Sequence, residues 1–169
     1  VLGPDSSKFK SRISWVSDPA TLIGSALKYK GHSFNSVVPA EIEDAVSTLM
    51  AAKANTRTIA GDNGQDLLLA KEVNLCLEAN GDIMQVAAED DDIAFMCPKE
   101  GVQLWEDSWA IPKGGPDVGA AHEFINYILT PEVHASIAKV TSYAMPNGPA
   151  KKLMPADYLN NPAIFPSED

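Results

Sequence analysis

Trp105 and Asp107 are the residues whose types and spacing are best suited to binding chemistry. They lie in a run, residues 102–111, that we predict to be extended, so that side chains two positions apart point to one face. An indole face attracts organic cations, and a carboxylate forms charge-assisted hydrogen bonds with ammonium groups. A core tryptophan beside a capping aspartate would give the same pattern, so the residues alone leave both interpretations open.

Motifs of enzyme and cofactor chemistry are absent from the chain. The sequence contains no GxGxxG, Walker, GxSxG or HExxH pattern. His122 and His134 are too far apart to form an i, i+4 pair, and His32 falls in a predicted loop. The three aspartates at positions 90–92 lack the spacing of a calcium loop. We therefore expect no enzyme activity, no cofactor and no metal.

The charge balance narrows the classes of partner. Thirteen basic residues stand against 23 acidic ones, for a net charge of -10. Nucleic acid is not expected, because phosphate binding needs clustered Lys and Arg, whereas an acidic chain attracts small cations. The apolar runs are too short to cross a bilayer. Cys76 and Cys97 have no metal-binding spacing, and the sequence leaves open whether they pair.

Strand-like and helix-like segments alternate along the first half, which predicts an α/β fold. Asp18 followed by Pro19 predicts a helix start, because Asp is a good N-cap and Pro suits the first helical position. Pro39 opens a second helix in the same way. Strands are predicted at residues 12–16, 56–60, 73–79 and 93–97, and further helices at about 65–71 and 80–88.

The second half begins with a helical pattern at residues 118–129. Four apolar residues recur there at helical spacing and predict a buried stripe: Ala121, Ile125, Ile128 and Leu129. Thr130 and Pro131 predict the start of another helix, with Thr130 as its cap. From Met145 onward the chain is rich in Pro and Asn, which predicts little regular structure.

Residues 97–112 carry the most informative pattern: the letters PKEG, then Trp105, Asp107 and a final Ile-Pro. This segment resembles the bacterial spermidine/putrescine-binding proteins of ABC importers. Weaker matches to the same family occur in order along almost the whole chain, at residues 13–19, 72–75, 80–81, 124–133, 143–147 and 162–166. Each match is short, but their order and spacing make the resemblance specific.

The resemblance implies an α/β, type II periplasmic-binding-protein-like fold. Members of the family have two lobes and are longer, so the chain would correspond to a C-terminal half, with one lobe largely present and the other only partly. Residues 1–107 would form the second lobe, residues 108–146 would belong to the first lobe, and residues 147–169 would return to the second.

The resemblance also implies ligand-binding roles for several residues. Trp105 matches the stacking aromatic, Asp107 the carboxylate that pairs with an ammonium group, and Tyr143 an aromatic at the cleft. Asp18 matches a further carboxylate, although it also suits a helix cap. Asp82 matches an acidic position of putrescine-preferring relatives, although a first-turn acid would also stabilise a helix.

Two positions depart from the family pattern. Ala79 stands where a tryptophan is usual, and Thr21 stands where a glutamate is usual. One stacking platform and one carboxylate are therefore lost, and Glu78 is a candidate to replace the carboxylate. These departures leave the identity of the ligand open.

The function that the resemblance implies is extracytoplasmic, periplasmic binding of a polyamine such as putrescine or spermidine. The bound solute would be delivered to the membrane permease of an ABC transporter. Another small cationic or amine-containing solute, or a role as a chemosensory ligand-binding module, is the alternative. A dimer of the chain is a further expectation, because a lobe without its partner exposes apolar surface.

Overall fold

A computed structural model describes residues 1–166 and divides the chain into two compact units, with the boundary between Gln103 and Leu104. A 3₁₀ helix, Pro4–Phe9, precedes the first strand. The elements of the first unit are β1 (Ile13–Val16), α1 (Pro19–Tyr29), α2 (Pro39–Lys53), β2 (Thr56–Ala60), α3 (Gly64–Leu69), β3 (Leu75–Cys76) and α4 (Asn80–Ala87). Those of the second are α5 (Val118–Ile128), α6 (Pro131–Thr141), α7 (Gly148–Lys151) and α8 (Ala156–Leu159).

The first unit is built on a parallel sheet of three strands in the order β2-β1-β3. Val16 lies opposite Ala60 on one side of β1, and Ser14 lies opposite Cys76 on the other. The central strand is the most enclosed, with Ile13 fully buried. Parallel strands are joined by crossover helices that cover the sheet, which explains why Ile13, Ser14 and Trp15 of β1 are all buried.

Helices α1 and α2 form the largest helix pair of this unit, and both begin where the sequence predicts. Asp18 accepts a hydrogen bond from the backbone N–H of Thr21 at 2.8 Å, so its predicted role as a helix cap is confirmed. The two helices pack through Ala26, Leu27 and Ala45, which are buried together. This pair sets the position of Asp18 at the edge of the sheet.

The strand predicted at residues 93–97 is wrong. Residues 93–112 contain turns and irregular backbone but neither helix nor strand. The extended run at 102–111 therefore has no partner strand in the described part of the chain. The strand predicted at 73–79 shortens to Leu75–Cys76. Strands require hydrogen-bonded neighbours, and a local apolar pattern cannot show whether a neighbour is present.

The second unit has its core where the sequence predicted little regular structure. Two short helices of four residues each, α7 and α8, interrupt the tail from Met145 onward, so the expectation of little regular structure holds for most of it but not for residues 148–151 and 156–159. The buried cluster consists of Ala135, Ala138, Met145, Ala150, Met154, Tyr158 and Ile164. Tyr158 also donates its hydroxyl hydrogen to the carbonyl of Tyr143 at 2.5 Å, which fixes the segment between α6 and α7.

Helix α5 departs from expectation in a different way. It forms as predicted, but none of its residues is buried, and Leu129 is 47% exposed. The predicted stripe is therefore only partly covered within this unit. Thr130 occupies the N-cap position of α6 as predicted, but its hydroxyl donates to the carbonyl of Asn126 at 3.3 Å and makes no capping bond.

Two further expectations concern membranes and cysteines. Among the described residues, no helix has the length and apolar character needed to span a bilayer. Cys76 and Cys97 both carry reduced thiols, so the question left open by the sequence is answered against a disulfide.

Candidate functional site

Three carboxylates follow the three parallel strands of the first unit at their carboxyl ends. Asp18 comes after β1, Asp62 after β2 and Glu78 after β3. The carboxyl ends of parallel strands lie at one edge of a sheet, which is where ligands bind in open α/β folds. The fold therefore gathers negative charge at the edge where binding is expected.

Asp18 is exposed and is held by its own helix. Hydrogen bonding by Thr21, from its side chain first and then its backbone N–H, lowers the pKa of Asp18 below its ordinary value. The carboxylate is therefore ionised at neutral pH. Its capping role is established, and a role in ligand binding stays a prediction.

Glu78 is half-buried, and both of its carboxylate oxygens accept hydrogen bonds from backbone. Oε2 accepts from the N–H of Gly64 at 3.2 Å, and Oε1 accepts from the N–H of Ala79 at 3.1 Å. Burial raises the pKa of Glu78, the two N–H donors lower it, and the charges of Asp82 and Asp62 raise it further. The net pKa lies above the ordinary glutamate value, because burial and like charges outweigh the two hydrogen bonds.

Asp62, Glu78 and Asp82 form the acidic cluster of this unit. Carboxylate oxygens of the three residues lie within 4.8 Å of one another. Oxygens at this spacing can accept hydrogen bonds from an ammonium group or coordinate a hard cation. The predicted residues Glu78 and Asp82 are thus brought together, and the structure adds Asp62.

Asp62 was missed because its segment, Gly61-Asp62-Asn63-Gly64, has the composition of an ordinary turn. A usable signal was present: the residue comes two positions after a predicted strand. In a parallel sheet that position faces the binding edge. Its closeness to Asp82 depends on the path of α3 and could not be predicted from spacing along the chain.

The two departures from the family pattern have visible consequences. The Thr21 hydroxyl oxygen lies 3.0 Å from Oε1 of Gln103, within the first unit. Ala79 is the N-cap residue of α4 and offers no side-chain cap. Neither residue supplies the carboxylate or aromatic surface that the family usually has there.

The second unit brings together two of the predicted aromatic residues. The rings of Trp105 and Tyr143 meet edge to face, with centroids 6.2 Å apart and an interplanar angle of 76°. Trp105 is 45% exposed, so much of its surface is left for other contacts. Asp107 is exposed two residues further along, in a segment with no assigned strand, so the shared face predicted for it and Trp105 stays a prediction.

Comparison with known families decides the class of the protein. The model of the family described as bacterial extracellular solute-binding protein matches residues 5–166. The chain belongs to this solute-binding family. Nearly all described residues take part in the match, so membership holds for both units.

Several individual relatives of this chain are named for the polyamines that they bind. It is 30% identical over 159 residues to the spermidine/putrescine-binding periplasmic protein of Salmonella typhimurium, covering 94% of this chain and 46% of the relative. It is 28% identical over 178 residues to a putrescine-binding periplasmic protein of Escherichia coli, covering 100% of this chain and 48% of the relative. The chain thus spans about half the length of the curated relatives it matches.

A solved structure confirms the fold. The spermidine/putrescine ABC transporter substrate-binding protein of Streptococcus pneumoniae superposes with a TM-score of 0.81 at 28% identity, over 95% of this chain and 50% of the other. The predicted α/β, periplasmic-binding-protein-like architecture is therefore correct. The predicted ligand-binding residues and lobe boundaries are not tested by these comparisons and stay predictions.

Proposed function

We propose that the protein is an extracytoplasmic, periplasmic solute-binding protein that captures a polyamine such as putrescine or spermidine. It would deliver the polyamine to the membrane permease of an ABC importer, and no chemical step is involved. The observation that carries this proposal is family membership together with carboxylates gathered at the carboxyl edge of the sheet.

The first unit supports the proposal through its charge. A polyamine is a flexible alkyl chain that bears ammonium groups, and each ammonium needs acceptors of negative charge. Asp18, Asp82 and the neighbouring Asp62 offer such acceptors, and the net charge of -10 attracts cations. Glu78 belongs to the same cluster.

The second unit supports the proposal through its aromatic residues. The exposed part of Trp105 and the half-buried Tyr143 present ring faces suited to methylene groups and to cation–π contact. Asp107 would pair with an ammonium group. In the intact protein, residues 1–107 would form the second lobe and residues 108–146 would belong to the first lobe. Residues 147–169 would return to the second lobe. The two lobes would close on the ligand. Positions 167–169 of that last segment lie outside the described residues.

A second candidate is a binding protein for another small cationic or amine-containing solute. Ala79 and Thr21 favour it, since neither supplies the aromatic surface or the carboxylate usual at these positions. A chemosensory module would use the same binding chemistry. Association of two copies of the chain also stays a prediction.

Calorimetric titration of the intact protein with putrescine and with spermidine, in buffer containing EDTA, tests the proposal. Submillimolar binding of either amine is expected. If the folded protein shows no heat with both, polyamine binding is refuted, and a screen of other amines and amino acids then tests the second candidate.

Asp107→Ala tests the predicted ammonium partner. A charge-assisted hydrogen bond is worth about 1.5–3 kcal/mol, so the Kd should rise about ten-fold or more. Glu106→Ala is the matched control, because Glu106 is an adjacent exposed carboxylate. Equal affinities of the two variants would remove Asp107 from the site.

A further inference from the structure

Helices α3 and α4 both begin without a side-chain cap of their own. Asn63, at the N-cap of α3, makes no capping bond, and Ala79, at the N-cap of α4, has no polar side chain. The first N–H groups of a helix need acceptors when they are not exposed to water. Glu78 supplies one acceptor oxygen to each helix start, to Gly64 and to Ala79.

The packing around Gly64 shows how closely this arrangement is fitted. A Cβ atom built on Gly64 would lie 2.5 Å from Oε2 of Glu78 and closer still to Sγ of Cys76. Neither distance is a permitted contact, so only glycine allows the backbone of α3 to approach the carboxylate this closely. The two oxygens of Glu78 are committed to backbone donors on both sides.

The segments at the two helix starts that Glu78 joins also contain the other two acidic residues of the cluster, Asp62 and Asp82. Asp62 lies two residues before Gly64, and Asp82 lies in the first turn of α4. A residue that fixes both backbone segments also fixes the separation of the two aspartates.

We propose that Glu78 is a positioning residue that ties the start of α3 to the start of α4 and so holds Asp62 and Asp82 at a spacing that receives one ammonium group. The proposal rests on the proposed function, and it differs from the expectation that Glu78 itself replaces a lost ligand carboxylate. Glu78 acts on the ligand through the two aspartates.

Protonation of Glu78 disrupts this arrangement. A protonated carboxyl group keeps one good acceptor oxygen, and the other becomes a hydroxyl donor facing a backbone N–H. The titratable neighbours are Asp62 before α3, Asp82 on α4 and Cys76 on β3. The raised pKa of Glu78 supports a release of one helix start at a pH above that at which an ordinary glutamate titrates.

The first test needs no ligand and uses NMR of the intact protein across pH 4–8. The amide resonances of Gly64 and Ala79 should shift with the same midpoint as the side-chain carboxyl carbon of Glu78. In the Glu78→Gln variant this shared transition should vanish, with Gly61 as a control amide. Amide shifts that do not follow the Glu78 carboxyl group would overturn the proposal.

The second test uses putrescine as the probe. At pH 7, Glu78→Gln should raise the Kd about ten-fold, the loss expected for one charge-assisted hydrogen bond. The ratio of variant to native Kd should fall toward one as Glu78 becomes protonated. Asp82→Asn should raise the Kd and keep a Glu78-dependent transition, displaced to lower pH because the Asp82 charge no longer raises the pKa of Glu78, which a general loss of structure would not do.

Saturating putrescine separates a positioning role from a direct one. If Glu78 positions the aspartates, the Gly64 and Ala79 amides keep their bonded chemical shifts in the complex. If those shifts are lost on binding, Glu78 contacts the ligand itself and the proposal is wrong. Failure of the native protein to bind putrescine would refute the proposed function, while the ligand-free titration still decides whether Glu78 joins the two helices.

Discussion

Replacing Gly64 by alanine should destabilise the first unit more than its small size suggests. Gly64 is buried at the first position of α3, and the new methyl group would meet Glu78 Oε2 at 2.5 Å and Cys76 Sγ at a still shorter distance. Both contacts are far inside van der Waals distance. Either α3 moves away from the sheet edge, or the Glu78 carboxylate leaves the Gly64 N–H.

The expected magnitude follows from three terms. Overpacking a closely packed site costs about 1–3 kcal/mol. Losing the hydrogen bond from Gly64 to Glu78 adds about 1–3 kcal/mol, because a charged acceptor is left unsatisfied. Alanine returns up to about 1 kcal/mol through its better helix propensity. The free energy of unfolding should therefore fall by roughly 1–5 kcal/mol.

Urea denaturation followed by tryptophan fluorescence measures this change. Trp15 is 2% exposed in the core of the first unit, whereas Trp105 and Trp109 belong to the second. A background in which Trp105 and Trp109 are replaced by phenylalanine makes Trp15 the single reporter. The variant should show a lower midpoint at unchanged slope.

Two companion variants make the reasoning refutable. Gly61→Ala is the matched control, because no atom lies within 4 Å of the place that its new methyl group would take, and its effect should stay within about 0.5 kcal/mol. Adding Cys76→Ala to Gly64→Ala removes the nearer clash, so the double variant should be less destabilised than the sum of the two single ones by at least about 0.5 kcal/mol. Additive effects, or a Gly64→Ala protein as stable as the native one, would show that this contact does not limit the packing.

Further predictions concern the thiols and the core of the second unit. Burial, together with the charge of a neighbouring carboxylate, raises the pKa of Cys76 to about 12, so iodoacetamide at pH 8 should label exposed Cys97 but not Cys76 until urea is added. Mass spectrometry of the labelled peptides checks this, and equal native labelling would contradict it. Tyr158→Phe removes the hydrogen bond to the carbonyl of Tyr143 and should cost about 1 kcal/mol in urea denaturation. Tyr127→Phe, at an exposed position, should cost nothing measurable, and equal losses would argue against the hydrogen bond.

Local signals in the sequence were sufficient to predict those elements whose first residues include a capping side chain or a proline. Asp18 and Pro19 predicted the start of α1 because capping is an interaction between residues only three positions apart. The segments of β1 and β2 were also predicted from local composition, because β-branched residues recur in both. Family membership was also predictable, since it depends on the order of short motifs and not on their contacts.

Strand pairing was less predictable. Residues 93–97 have a strand-like composition but no strand in the structure, and the predicted strand at 73–79 shortens to two residues. A strand is stabilised by hydrogen bonds to a neighbour that lies elsewhere in the chain. The pattern of one segment does not contain that information.

The acidic cluster shows most clearly which features the sequence determines and which only the tertiary structure decides. The sequence determined that Asp82 and Glu78 stand near a turn, that the chain is acidic and that Trp105 and Asp107 alternate. Only the tertiary structure decided that Asp62, 16 residues before Glu78 in the numbering, joins them within 4.8 Å, and that Glu78 is occupied by two helix starts. The reason is physical: the path of α3 over the sheet edge sets these distances, and that path results from packing between elements far apart in the chain.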